Sequence, residues 1–303
     1  MASLTRWIDD KTRKPVAEFP RSAVDADAAN ESGRPVESAE RVTTTQTGHA
    51  FLTALPSTTK GVPDTGAWVY LPPGYDAESN IERYPVVYTL HGAPGSAADW
   101  FAGGRLDYVL DTMISGGYLP PLIVVSPDLN AGSQRIDDEP LNRPGGPQLE
   151  DFVTQDVVAW ADRHLRTVAN AEHRIVAGMS AGGIASLLYG LHSPSVFGGV
   201  VSIMPYATPY TPQIVGDDVA RRLNSPLEVI AARPGPTDQK VFLGQGDGES
   251  SADAERILES LRTQGQTATL RVLPGLNHNW TAARMIMPYG LVWVSEQLGW
   301  PPR

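Results

Sequence analysis

Apolar residues in this chain fall into short runs, and the runs alternate between two periods. Trp68-Val69-Tyr70-Leu71, Tyr84-Pro85-Val86-Val87-Tyr88-Thr89-Leu90, Leu122-Ile123-Val124-Val125 and Arg174-Ile175-Val176-Ala177 are β-branched or aromatic and read as strands. So do Gly199-Val200-Val201-Ser202-Ile203-Met204, Lys240-Val241-Phe242-Leu243 and Leu270-Arg271-Val272-Leu273. Between them lie sets with helical spacing: Leu106, Val109, Leu110, Met113 and Ile114; Phe152, Val153, Val157 and Trp160; Ile184, Leu187, Leu188 and Leu191; Ala254, Ile257, Leu258 and Leu261. A last helix is expected over roughly 282–298. Strands alternating with helices predict an α/β fold, a mostly parallel sheet with helices on both faces. Ligands of such sheets bind beyond the carboxyl ends of the strands.

Three stretches depart from this rhythm. Residues 1–45 are polar without a sustained apolar period, and are expected to form an arm or linker ahead of the folded unit at 46–303. The segments 129–148 and 205–237 are long and rich in proline, glycine or charge, and are expected to be binding loops at the carboxyl edge. Asp137-Asp138-Glu139 within the first reads as a solvated acidic loop.

Composition narrows the classes. A chain of 303 residues with net charge -10 lacks the basic face that nucleic acid requires. It contains 0 cysteines, which removes disulfides and thiolate chemistry. Neither a metal-binding nor a phosphate-loop pattern occurs, so no metal and no cofactor is expected. No run reaches the roughly 18 apolar residues of a membrane span, and Met1-Ala2-Ser3 leads straight into polar sequence. Membrane or cell-envelope proximity would require an N-terminal anchor ahead of this sequence.

The strongest chemical signal is Gly178-Met179-Ser180-Ala181-Gly182, which sits between a strand-like and a helix-like run. That context marks a nucleophile elbow, in which a tight turn lifts the serine hydroxyl above the sheet. A serine needs a base, and the base needs an orienting acid. Of the six histidines, His278 follows the last expected strand, in Pro274-Gly275-Leu276-Asn277-His278-Asn279-Trp280. The acid should fall between the two in chain order. Asp247 is the first choice and Glu249 the second, both in the turn after Val241-Phe242-Leu243. The oxyanion donors expected are the backbone N–H groups of Ala181 and of Ala93, since Pro94 has none. His91 is expected to be structural. Trp100, Asn130, Arg143, Tyr206 and Tyr210 are candidates for lining a substrate pocket.

Val87-Tyr88-Thr89-Leu90-His91-Gly92 with Trp100, the stretch Arg174 through Gly183, Ser193-Pro194-Ser195-Val196-Phe197 and Gly275-Leu276-Asn277-His278-Asn279-Trp280 together resemble the esterase D-like and antigen 85-like α/β-hydrolases. That group includes feruloyl, acetyl xylan and enterochelin esterases, S-formylglutathione hydrolases and mycolyltransferases. The resemblance spans roughly residues 50–300 and implies an α/β-hydrolase catalytic unit. It also implies a serine carboxylesterase acting on small-molecule, glycan or lipid esters. Alternatives are acyl transfer to a sugar or lipid alcohol, hydrolysis of aminoacyl-lipid esters, and a catalytically silent binding protein on the same fold. The family points to an extracytoplasmic or envelope setting and leaves a cytoplasmic one open. Two departures stand out: the acid region reads Gly246-Asp247-Gly248-Glu249 rather than the usual pattern, and the N-terminal arm has no counterpart.

Overall fold

The strand-like runs assemble into one eight-stranded sheet in the order β1-β2-β4-β3-β5-β6-β7-β8. The structure is a computed structural model and describes residues 47–77, 79–133 and 138–300. The arm expected over 1–45 and Asp137 lie outside the described residues.

The strands are β1 (His49–Leu55), β2 (Thr65–Leu71), β3 (Val86–Leu90), β4 (Ile123–Pro127), β5 (Arg174–Met179), β6 (Gly199–Ile203), β7 (Lys240–Gly246) and β8 (Thr267–Leu273). From β4 to β8 neighbours pair in parallel, while β1 and β2 join antiparallel at one edge. The helices are α1 (Asp99–Ala102), α2 (Leu106–Ser115), α4 (Ala181–His192), α8 (Ala252–Thr263) and α9 (Trp280–Gln297). Leu149–Asp151, a π-helical stretch Phe152–Val157 and Val158–His164 run on as one helix, α3.

Alternation along the strands divides the core into two layers. Val176 of β5, Val200 of β6 and Val241 and Leu243 of β7 pack with apolar residues of α3, α4 and α8. Ile175, Ala177, Val201, Ile203 and Phe242 point the other way, toward α2 and α9. Both faces are therefore covered, which is why these strands are continuously apolar.

One strand carried no sequence signal and one expectation needs correction. The strand β1 shows no continuous buried run: six of its seven residues are exposed or half-buried at the sheet edge, and Leu55 is buried. The segment 205–237 is not a plain loop: it contains α5 (Pro212–Val215), α6 (Asp218–Leu223) and α7 (Pro226–Ala232). Pro212 and Pro226 stand in the first turn of α5 and α7, where a missing N–H breaks no helical bond. Asp217 caps α6 by accepting from the N–H groups of Val219 and Ala220, each at 2.9 Å. Ile214, Val229 and Ile230 from these helices are buried in the layer that holds α4.

Candidate active site

Ser180 stands between β5 and α4 with φ 60° and ψ -121°. This conformation is strained for a residue with a Cβ, by about 1–3 kcal/mol. Neighbouring contacts hold it in place. Ser180 N donates to Ile203 O of β6 at 2.9 Å, and Ser180 O accepts from Gly183 N and Ile184 N at 2.8 and 3.0 Å. The flanking glycines are required by contact rather than by dihedral angle. A Cβ on Gly178 would lie 2.0 Å from Gly182 O, and one on Gly182 would lie 2.3 Å from Leu90 O and 2.6 Å from His91 O. The second contact brings the N-terminus of α4 against the loop after β3. Ala181 opens α4, so its N–H has no acceptor within the helix and adds to the positive end of the helix dipole.

His278 sits in the turn between β8 and α9, just before Asn279, which caps α9 by accepting from Ala282 N at 3.0 Å. Its Nδ1 lies 2.8 Å from Glu249 Oε2. The acid found beside the histidine is therefore Glu249 and not Asp247. Asp247 is turned away: its Oδ1 accepts from Gly275 N at 2.6 Å. The reason lies in the turn. Asp247 N donates to Leu273 O and Gly248 N to Leu276 O, each at 3.0 Å, so the residues directly after β7 are stitched to the end of β8 and the turn that follows it. The longer side chain two positions further on is the one that reaches the imidazole. The hydrogen bond from His278 holds the Glu249 carboxyl below its ordinary pKa, against the opposing pull of burial, and the charge of His278 adds to the lowering. A carboxylate on Nδ1 leaves Nε2 as the basic nitrogen. Because β5, β7 and β8 run parallel, Ser180 and His278 both leave the sheet at its carboxyl edge.

The loop after β3 carries His91, Gly92 and Ala93. His91 is buried and accepts at Nε2 from Leu129 N at 3.0 Å, which puts its proton on Nδ1, 2.8 Å from Gly92 O. Both nitrogens serve the backbone of two loops, as a structural histidine would. Trp100 is 0% exposed, so it cannot line an open pocket as expected. Its Nε1 donates to Leu90 O at 2.9 Å, and its ring meets Trp280 edge-on at 5.0 Å. It braces the end of β3 against the start of α9.

The remaining pocket candidates cluster around one residue the sequence did not single out. A small, nearly closed cleft beside the β3 loop, with room for about one water, is lined by Gly92, Ala93, Asn130, Glu139 and Arg143. Asn130 Nδ2 donates to Gly95 O at 2.7 Å, and Arg143 Nη1 pairs with Asp138 at 2.5 Å. Glu139 is 0% exposed, contrary to the solvated acidic loop expected there. Its carboxylate accepts from Tyr206 OH at 3.2 Å, Tyr210 N at 2.6 Å, Thr211 N at 2.7 Å and Thr211 Oγ1. Tyr206 and Tyr210 pack ring to ring at 5.7 Å. Tyr206 is partly covered and Tyr210 exposed. The signal for Glu139 was present only as one acidic letter among three, with nothing local to mark it as buried. Among the described residues no group of three or more His, Asp or Glu is placed to hold a metal ion, and no helix is long and apolar enough to cross a membrane.

Comparison with known proteins bears on this geometry. A family model described as putative esterase matches residues 63–285. An endo-1,4-beta-xylanase/feruloyl esterase of Xylanibacter ruminicola is 27% identical over 225 residues, which is 71% of this chain and 27% of that protein. The chain thus spans about a quarter of the length of such curated relatives. Among solved structures, a ferulic acid esterase superposes with a TM-score of 0.71 at 20% identity, over 83% of this chain and 99% of that one. An S-formylglutathione hydrolase from Agrobacterium tumefaciens gives 0.67 at 20% identity, over 83% and 96%. These superpositions establish the α/β-hydrolase fold.

Proposed function

The chain belongs to the putative esterase family, and we propose that within this carboxylesterase family it is a serine hydrolase working through an acyl-enzyme on Ser180. The observation that carries the proposal is the backbone of Ser180. A strained, non-glycine residue at a strand-to-helix turn, with its neighbours' Cβ positions closed to anything but glycine, is explained by exposing a nucleophile.

In this reading His278 Nε2 takes the proton from Ser180 Oγ as the oxygen attacks the ester carbonyl carbon. The carbonyl oxygen becomes an oxyanion, and the N–H groups of Ala181 and Ala93 are the proposed donors to it. When the carbon–oxygen bond to the alcohol breaks, His278 returns the proton to the leaving oxygen. Water then repeats the sequence and frees the acid. Glu249 holds the imidazole in the tautomer with Nε2 free and stabilises the imidazolium without accepting its proton. The substrate class favoured is esters of aromatic hydroxycinnamic acids, by similarity to relatives named as feruloyl esterases.

Ser180→Ala should abolish hydrolysis of p-nitrophenyl acetate and methyl ferulate while the circular dichroism spectrum stays that of wild type. Turnover near the wild-type rate in the folded variant would overturn the mechanism.

A further inference from the structure

The carboxylate of Glu139 joins the two long segments beside the reaction centre. It belongs to the segment after β4. All four of its acceptor contacts described above come from Tyr206, Tyr210 and Thr211, in the segment after β6. The joint is reciprocal, because Glu139 N donates to Thr211 Oγ1 at 3.0 Å. Thr211 is 0% exposed and stands directly before α5, with its hydroxyl on Glu139 rather than on the helix backbone. The next residue extends the link to the elbow helix: Pro140 O accepts from the hydroxyl of Tyr189 in α4. Glu139 also faces the cleft that Ala93 lines.

Burying a carboxylate is costly unless every lone pair is occupied, and an apolar pair would hold two loops together with less desolvation. What a fully hydrogen-bonded carboxylate supplies is one fixed arrangement of its donors. We infer that Glu139 is a specificity-determining positioning residue: it clasps the Tyr206–Thr211 segment to the segment after β4, and so fixes the wall of the ester site on the Ala93 side. This inference rests on the carboxylesterase reading above. Glu139 touches no reacting atom in it, and its effect passes through that wall.

The test uses Glu139→Gln and Thr211→Val in the whole chain, with methyl ferulate and p-nitrophenyl acetate as bulky and small esters. An amide in place of the carboxylate turns an NH2 toward a ring of donors, and valine keeps the shape of threonine without its hydroxyl. In Glu139→Gln the ratio of kcat/KM for ferulate over acetate should fall about tenfold, with the loss in KM rather than kcat. Thr211→Val should move the ratio the same way by less, and it decides the matter if the first variant does not fold. An unchanged ratio in a folded variant, or equal losses on both esters, would overturn the role. Wild-type protein inert on both esters would instead bring down the esterase reading and the inference with it, and the wild-type control reports that case separately.

Discussion

Ser180, His278 and Glu249 are a serine at a strained turn, an imidazole held before a helix cap, and a carboxylate 2.8 Å from its Nδ1. The pairing leads to a ranking. Glu249→Gln should lower kcat strongly, by up to about ten-thousandfold, because an amide oriented toward Nδ1 favours the wrong tautomer. Asp247→Asn should cost far less, since an amide oxygen can still accept from Gly275 N. Steady-state kinetics on p-nitrophenyl acetate would check the ranking, and the reverse order would return the acid role to Asp247. The elbow and the histidine were legible in the sequence because each follows a strand in a fixed local context. Which carboxylate lies on the histidine was not, because Gly246-Asp247-Gly248-Glu249 offers two in one turn. Only the backbone bonds to Leu273 and Leu276 decide which one reaches His278. Trp100 misled in the opposite sense, since an aromatic near an active-site loop reads the same whether it lines a pocket or braces a strand.

Elements were readable wherever burial was two-sided. The runs of β3, β5 and β6 are buried at every position, so their apolar content announced them. The half-exposed β1 and the proline-started helices α5 and α7 gave no such run. One contact between elements carries a pH signature. His192 ends α4, and its Nδ1 lies 2.8 Å from Glu150 of α3. Desolvation pulls the His192 pKa down, but the hydrogen bond from His192 to Glu150 and the charge of Glu150 outweigh it, and the net shift is upward from 6.5. A raised folded pKa means the stabilisation is fully present below the unfolded value and is lost as pH rises through the folded one. The difference in melting temperature between wild type and His192→Gln should therefore be largest below about pH 6.5 and shrink as pH rises above it. A difference that grows with pH would contradict the assignment.

At the scale of the whole molecule, the sheet is covered on both faces and its carboxyl edge is occupied by segments that are themselves part of the core. Ile214, Ala220, Val229 and Ile230 pack into the same layer as Ile184 and Leu188 of α4. Deleting 212–232 should for this reason lower the melting temperature sharply or leave the protein insoluble. A soluble deletion with wild-type melting would show that α5 to α7 are a detachable insertion. The mostly parallel sheet and its two covered faces followed from the alternation of runs, whereas the strand order did not, and the junction at Glu139 joins segments 72 residues apart and left no trace in the sequence. The central claim, that Ser180 is the nucleophile, is open to one direct measurement. The intact protein is treated with a fluorophosphonate, and the adduct is located by peptide mass spectrometry. The account predicts a single adduct on Ser180, absent from folded Ser180→Ala and formed more slowly in Glu249→Gln. Stoichiometric labelling of another serine, or no labelling of the folded wild-type protein, would contradict it.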